Sequence, residues 1–150
     1  MRRYLVVANQ TLGGEELWVA IRARIAGGDC HFHLLVPATP AAQLDPGDTA
    51  EVVAEGGAGE DLGRRLARQR MRQELDRMRE LGASVSGEIG VADPVDAVRV
   101  VLHRWEFDEV IVSTLPGRRS RWLAADLPTK IRRGFKLQVT QVTGATVAKG

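Results

Sequence analysis

A single cysteine, Cys30, in 150 residues excludes an internal disulfide framework and fits a reducing compartment. No apolar run approaches the length that spans a bilayer. The first apolar stretch, Tyr4-Leu5-Val6-Val7-Ala8, stops at Asn9-Gln10. That is too short for a signal-peptide core, so it is expected to be a strand of a cytoplasmic protein. Aromatic residues are scarce, and Trp122 is the only one in its basic segment before Phe135. The chain therefore lacks the stacking set of an RNA-binding module, and it has no zinc-ligand spacing and no recognition-helix pattern. No nucleophile, base and orienting group stand together in the sequence as acyl transfer requires. The length suits one domain, spanning residues 1–150, with a proper core.

Net charge is only +2, although the pI is about 9.1. Its distribution says more than its sum. Arg118, Arg119, Arg121, Lys130, Arg132, Arg133 and Lys136 stand against one acid, Asp126. This patch reads more simply as a soluble basic surface than as a nucleic-acid contact. Around Glu60 to Glu80, acids and bases alternate as on a solvated helix face.

Apolar patterning divides the chain into alternating strands and helices. Tyr4 to Ala8 is a continuous apolar run, as in a parallel strand covered on both faces, and Phe32 to Val36 and Glu109 to Ser113 read as the second and fourth strands. Ser84 to Val91 is less apolar and belongs nearer an edge. Leu137 to Val142 is the last strand, and Gly144 to Gly150 a frayed tail. A helix opens at Gly13-Gly14-Glu15-Glu16, buries Leu17, Ile21 and Ile25, and ends at Gly27-Gly28. A second runs from Asp61 to Leu81, with Leu62, Leu66, Met71, Leu75 and Met78 as its stripe. Asp93-Pro94-Val95-Asp96 caps a third, whose inward face is Val95, Val98, Leu102 and Trp105. A short fourth begins at Asp126-Leu127-Pro128 and ends at Gly134, and Ala38 to Gly59 forms a long loop. The order β-α-β-α-β-α-β-α-β predicts an α/β three-layer sandwich: a five-stranded parallel sheet, order 3-2-1-4-5, flavodoxin-like or Rossmann-like.

The most informative stretch is Val110-Ile111-Val112-Ser113-Thr114-Leu115-Pro116-Gly117-Arg118-Arg119-Ser120-Arg121-Trp122. An apolar strand stops at two hydroxyls, turns through Pro-Gly and reaches three arginines within four residues. Ligands of open α/β sheets bind beyond the carboxyl ends of strands, where guanidinium groups can hold phosphate.

This element order and these positions resemble the universal stress protein family, within the adenine nucleotide α-hydrolase-like group. The resemblance spans the chain from Leu5-Val6-Val7-Ala8-Asn9 to the last strand. It implies an adenine-nucleotide cleft built from an acid after the first strand and a valine ending the second. A motif of Gly, two residues, Gly, nine residues and Gly-Ser or Gly-Thr follows the fourth strand. Val36 matches the valine. Asn9 replaces the acid, Ser113 the first glycine and Pro116 the second, with Gly117 one place late. Asp126-Leu127 replaces the closing pair. The motif works by presenting backbone N–H groups at a helix start to phosphate. Pro128 removes one such donor, and Asp126 would cap the rest and repel an anion.

The expected nucleotide-binding residues are therefore Asn9, Val36, Ser113, Gly117, Arg119 and Ser120. Asn9 would meet a base or ribose, Arg119 a phosphate, and Ser113 sugar or phosphate. The expected function is that of a universal stress protein-like binding or regulatory protein with an altered nucleotide cleft. It would not bind ATP tightly, and an adenine nucleotide is its nearest cofactor. No catalytic or metal-ligating residue is expected. The alternatives are a nucleotide hydrolase using the loop Ser113 to Ser120, or a basic nucleic-acid-associated protein. The family resemblance implies a homodimer through the last strand. His31 and His33 share one strand face while Cys30 points the other way, which suits a partly buried pair better than a metal site. Asp93 and Asp96 are explained by capping, and Glu15-Glu16 by the helix dipole.

Overall fold

The structure, a computed structural model, describes residues 1–9, 12, 14–38, 62–91, 93–114 and 127–144, with side chains at all of these except 62 and 63. The elements are β1 (Arg2–Val7), α1 (Glu15–Ala26), β2 (Cys30–Pro37), α2 (Leu62–Glu80), β3 (Ser84–Gly90), α3 (Pro94–Arg104), β4 (Glu109–Thr114), α4 (Leu127–Phe135) and β5 (Gln138–Thr143). All pairings are parallel, and the strand order is β3-β2-β1-β4-β5, as the alternating pattern predicts.

Side chains alternate along each strand, so each strand feeds two cores. Tyr4, Val6, Phe32, Leu34 and Ile111 pack with Leu17 and Ile21 of α1 and Ala67, Leu75 and Met78 of α2. Leu5, Val7, Leu35, Val110 and Val112 pack with Ala97, Val98 and Val101 of α3 and Leu127 and Ile131 of α4. Burial on both faces explains why the central strands carry apolar residues without alternation. β3 and β5 lie at the edges, and their sequences are correspondingly more polar.

Local chemistry sets the ends of the elements. Asp93 Oδ1 accepts from the Val95 and Asp96 backbone N–H groups at 2.9 and 3.2 Å, and Pro94 opens α3 behind it. Gly82 follows α2 with φ +86°, while the Ala83 N–H returns to the Met78 carbonyl at 3.3 Å. Gly90 has a packing reason. A Cβ there would sit 2.8 Å from Ala97 Cβ and 3.0 Å from Leu35 Cδ1, so the missing side chain lets α3 approach the end of β3.

Several expectations are refined. β1 starts at Arg2 rather than Tyr4, because Arg2 pairs with Cys30 and its N–H donates to the Asp29 carbonyl at 3.2 Å. β2 runs through Pro37, and β5 is shifted one residue onward, to Gln138–Thr143. The inward face of α3 is centred on Ala97, Val98 and Val101. Trp105 lies outside the helical period, since the chain is extended there, and 39% of it remains exposed. The charged face of α2 is not wholly solvated. Asp76 and Arg79 pair in the open at 3.2 Å, but Glu74 is buried beside Arg77, whose guanidinium lies 4.1 Å from the Trp18 ring centroid. The loop expected over residues 38–59 falls outside the described residues after Ala38, as does the tail after Gly144.

One buried acid ties the α1 layer to the sheet. Glu109, at the start of β4, is 3% exposed. Arg24 of α1 grips both of its oxygens at 2.8 and 3.1 Å, and the Thr140 hydroxyl of β5 also donates to it. Burial alone would raise this carboxyl. The hydrogen bonds from Arg24 and Thr140, with the charges of Arg24 and Arg2, outweigh it and hold the carboxyl below its ordinary value.

Candidate functional site

The sheet reverses its winding between β1 and β4. From β1 the chain steps outward to β2 and β3, then crosses back to β4 and β5. The carboxyl ends of β1 and β4 therefore flank the switch point at which α/β sheets open a crevice. Val7 pairs with Leu35 on one side and with Val112 on the other. The next step of the register brings Val36, Ala8 and Ser113 abreast, with Asn9 just beyond. Three of the six sequence-predicted site residues are thus brought together by backbone pairing.

Each is buried. Val36 is wholly enclosed within the α1 and α2 core, where it can present only apolar surface. Asn9 is 3% exposed and hydrogen-bonded through both ends of its amide. Its Nδ2 donates to the Pro37 carbonyl at 2.7 Å, bridging the ends of β1 and β2. Its Oδ1 accepts from Arg70 Nη1 at 2.7 Å. Ser113 and Thr114 close β4, both buried. The Thr114 carbonyl accepts from the Gly144 N–H at 2.9 Å. The Thr114 Oγ1 has no hydrogen-bond partner among the described residues. A buried hydroxyl left so costs about 1–3 kcal/mol, which a polar group placed at the end of β4 would recover.

Arg70 is the site residue that sequence reading misses. It lies on α2, 61 positions from Asn9, within a helix half that is uniformly basic: Arg64, Arg65, Arg68, Arg70 and Arg72, with no acid from 62 to 73. That local charge imbalance was the available signal. Gly117, Arg119 and Ser120 lie outside the described residues, as do Pro116, Asp126 and Trp122. Pro128 is described: it is buried in the first turn of α4, and its ring nitrogen has no proton to offer an anion.

Chemically, this end of the sheet joins an apolar floor at Val36 to amide and hydroxyl groups at Asn9, Ser113 and Thr114, with a guanidinium at Arg70. Such a mixture suits a polar, planar or anionic small molecule. Among the described residues no cluster of three or more His, Cys, Asp or Glu side chains could hold a metal ion. None of the described helices is long and apolar enough to cross a membrane.

No protein-family model matches the chain, and no curated protein matches it. Solved structures do. A universal stress protein family protein from Arabidopsis thaliana, with AMP bound, aligns with a TM-score of 0.62 at 11% identity, covering 96% of this chain and 92% of that one. A universal stress protein from Archaeoglobus fulgidus aligns with a TM-score of 0.57 at 13% identity, covering 95% and 93%. A universal stress protein in complex with cAMP aligns with a TM-score of 0.55 at 17% identity, covering 96% and 98%. Over nearly its whole length, then, this chain has the fold of the universal stress proteins.

Proposed function

We propose that the chain is a divergent universal stress protein, a single-domain binding or regulatory protein rather than a catalyst at its strand-end cleft. Its ligand is a small nucleotide held between the carboxyl ends of β1 and β4, with an adenine nucleotide the leading candidate. The observation that carries this reading is the convergence of Asn9, Val36, Ser113 and Thr114 at the switch point, with Arg70 bonded to Asn9. The fold relatives solved with AMP and cAMP support it.

Tight ATP binding is not expected. Pro128 takes a donor from the first turn of α4, and Asp126 precedes that turn with a negative charge. Arg119 and Ser120 would supply phosphate contacts from the loop beyond β4, and Gly117 would let a phosphate near the backbone. Titration calorimetry with AMP and ATP tests the reading. Weak binding, with no gain from the added phosphates, is expected. Sub-micromolar ATP affinity would overturn it. The same proposal includes a homodimer through the edge strand β5 and a cytoplasmic location, and a monomeric mass by light scattering would refute the dimer.

A further inference from the structure

A second chemical centre lies on the other sheet face, toward the amino ends of β2 and β3. His31 and His33 of β2 point to the side that α3 covers, and Ser84, Ser86 and Glu88 of β3 share that side. The register sets His31 beside Ser84 and His33 beside Ser86. The five side chains form one continuous chain of hydrogen bonds. Ser84 Oγ lies 2.7 Å from His31 Nδ1, His31 Nε2 2.8 Å from Ser86 Oγ, Ser86 Oγ 2.7 Å from His33 Nδ1, and His33 Nε2 2.7 Å from Glu88 Oε2. Arg104, at the end of α3, donates to the other Glu88 oxygen at 2.5 Å.

Valence fixes the direction of every bond when both imidazoles are neutral. The Glu88 carboxylate can only accept, so His33 must carry its proton on Nε2. His33 Nδ1 is then an acceptor, and the Ser86 hydroxyl donates to it. Ser86 has no second proton, so the His31 Nε2–H donates to Ser86 Oγ. His31 Nδ1 in turn accepts from Ser84. A serine whose proton already points at a neutral imidazole, with that imidazole oriented by an ion-paired carboxylate, is the arrangement that activates a hydroxyl nucleophile.

We propose that Ser86 is a nucleophile toward small carboxylic esters, with His33 as its general base, Glu88 as the residue that positions His33, and His31 as oxyanion donor. In the step, Ser86 Oγ bonds to the ester carbonyl carbon while its proton passes to His33 Nδ1. The carbonyl π pair moves onto oxygen. The Oγ that accepted the His31 Nε2–H becomes an ester oxygen and a poorer acceptor, which frees that N–H for the adjacent oxyanion. As the carbonyl re-forms, the alkoxide leaves with the proton from His33. Water attacks the acyl-serine with the same base, so ester and water become acid and alcohol.

The surroundings suit the assignment. His33 is buried, with Trp105 edge-on at 5.1 Å and Phe107 at 6.2 Å. Those two rings also line a cleft of about 440 Å³ with Arg3, Leu102 and Phe135, so apolar surface adjoins the base. Ser86 is only half-buried, on an edge strand that a small ester can reach. The charged and titratable groups facing His33 are Arg3 from β1, His31 from β2, Glu88 from β3 and Arg104 from α3. Burial pushes His33 below its ordinary value, Glu88 opposes this, and Arg104 and Arg3 add to it, so the ring is neutral at pH 7 and able to accept a proton. Burial, Arg3 and His33 likewise lower His31.

The test treats the full chain with a fluorophosphonate, which bonds an activated serine with loss of fluoride, and follows p-nitrophenyl acetate turnover beside it. One equivalent of label is expected on Ser86 by peptide mass. Ser86→Ala should remove it, and His33→Gln should slow it about a hundredfold. The labelling rate should rise with pH to a plateau, with a midpoint below the ordinary histidine value of 6.5. Glu88→Gln should slow labelling and move that midpoint lower, a displacement that a purely structural role would not give. Should His33→Gln fail to fold, the pH profile of the unaltered chain and Glu88→Gln decide the matter. Label absent from Ser86, a rate unchanged in the folded variants, or a rate climbing with hydroxide and no plateau would each overturn the assignment.

Discussion

Replacing Arg24 by leucine probes the sharpest electrostatic commitment in the fold. Glu109 is 3% exposed and relies on Arg24 for two hydrogen bonds, at 2.8 and 3.1 Å. Without the guanidinium, the carboxylate keeps, among the described residues, only the Thr140 hydroxyl as a side-chain partner. Breaking one side of a buried pair costs about 3–5 kcal/mol, because the remaining charge is desolvated without compensation. The Arg24 side chain is 20% exposed, and that partial solvation places the expectation near the lower end, about 3 kcal/mol at pH 7. For a chain of this size such a loss lowers Tm by about 6–12 °C. Urea unfolding of Arg24→Leu beside the wild type measures it.

The pH dependence makes the attribution specific. In the wild type the Glu109 carboxyl lies below its ordinary value of 4.5. It therefore adds stability that is present above that value and lost as pH falls through the folded value. In Arg24→Leu the desolvation is unopposed by the guanidinium, and the carboxyl should rise above its ordinary value. Such a group favours the folded state at low pH and loses that contribution as pH rises through its folded value. The gap between the two proteins should therefore narrow from pH 7 toward pH 4. Arg24→Leu with Glu109→Leu should recover most of the loss, since an apolar pair carries no stranded charge. A single-variant loss under about 1 kcal/mol, or a gap unchanged from pH 7 to pH 4, would refute the argument.

Two further changes test other parts of the fold. Gly90→Ala should destabilise by about 1–3 kcal/mol in chemical unfolding, because the new methyl meets Ala97 Cβ at 2.8 Å and neither strand nor helix can yield freely. Asp93→Ala removes the acceptor for the Val95 and Asp96 N–H groups and should cost about 1 kcal/mol by the same measurement, while Asp93→Asn should cost less.

The sequence alone determined the framework. Apolar runs at β1, β2 and β4, four-residue spacing in α1, and the Asp93-Pro94 and Gly27-Gly28 signals are local chemistry, and they set the element order. With right-handed crossovers, that order leaves few topologies, and β3-β2-β1-β4-β5 is the one found. The place of the switch point between β1 and β4 follows from the same order, and the family resemblance is what singled out Asn9, Val36 and Ser113 beside it. What surrounds them could not. The Arg70 bond to Asn9 crosses 61 positions, Arg24 reaches Glu109 across 85, and His33 meets Glu88 across 55. Periodicity and capping act within a few residues, whereas a hydrogen bond needs two groups within about 3 Å, and only packed layers place distant parts of the chain so closely. Thus Glu74 reads as part of a solvated helix face and Glu109 as the first residue of a strand until burial shows otherwise, and Ser86 reads as a strand serine until His33 is seen beside it.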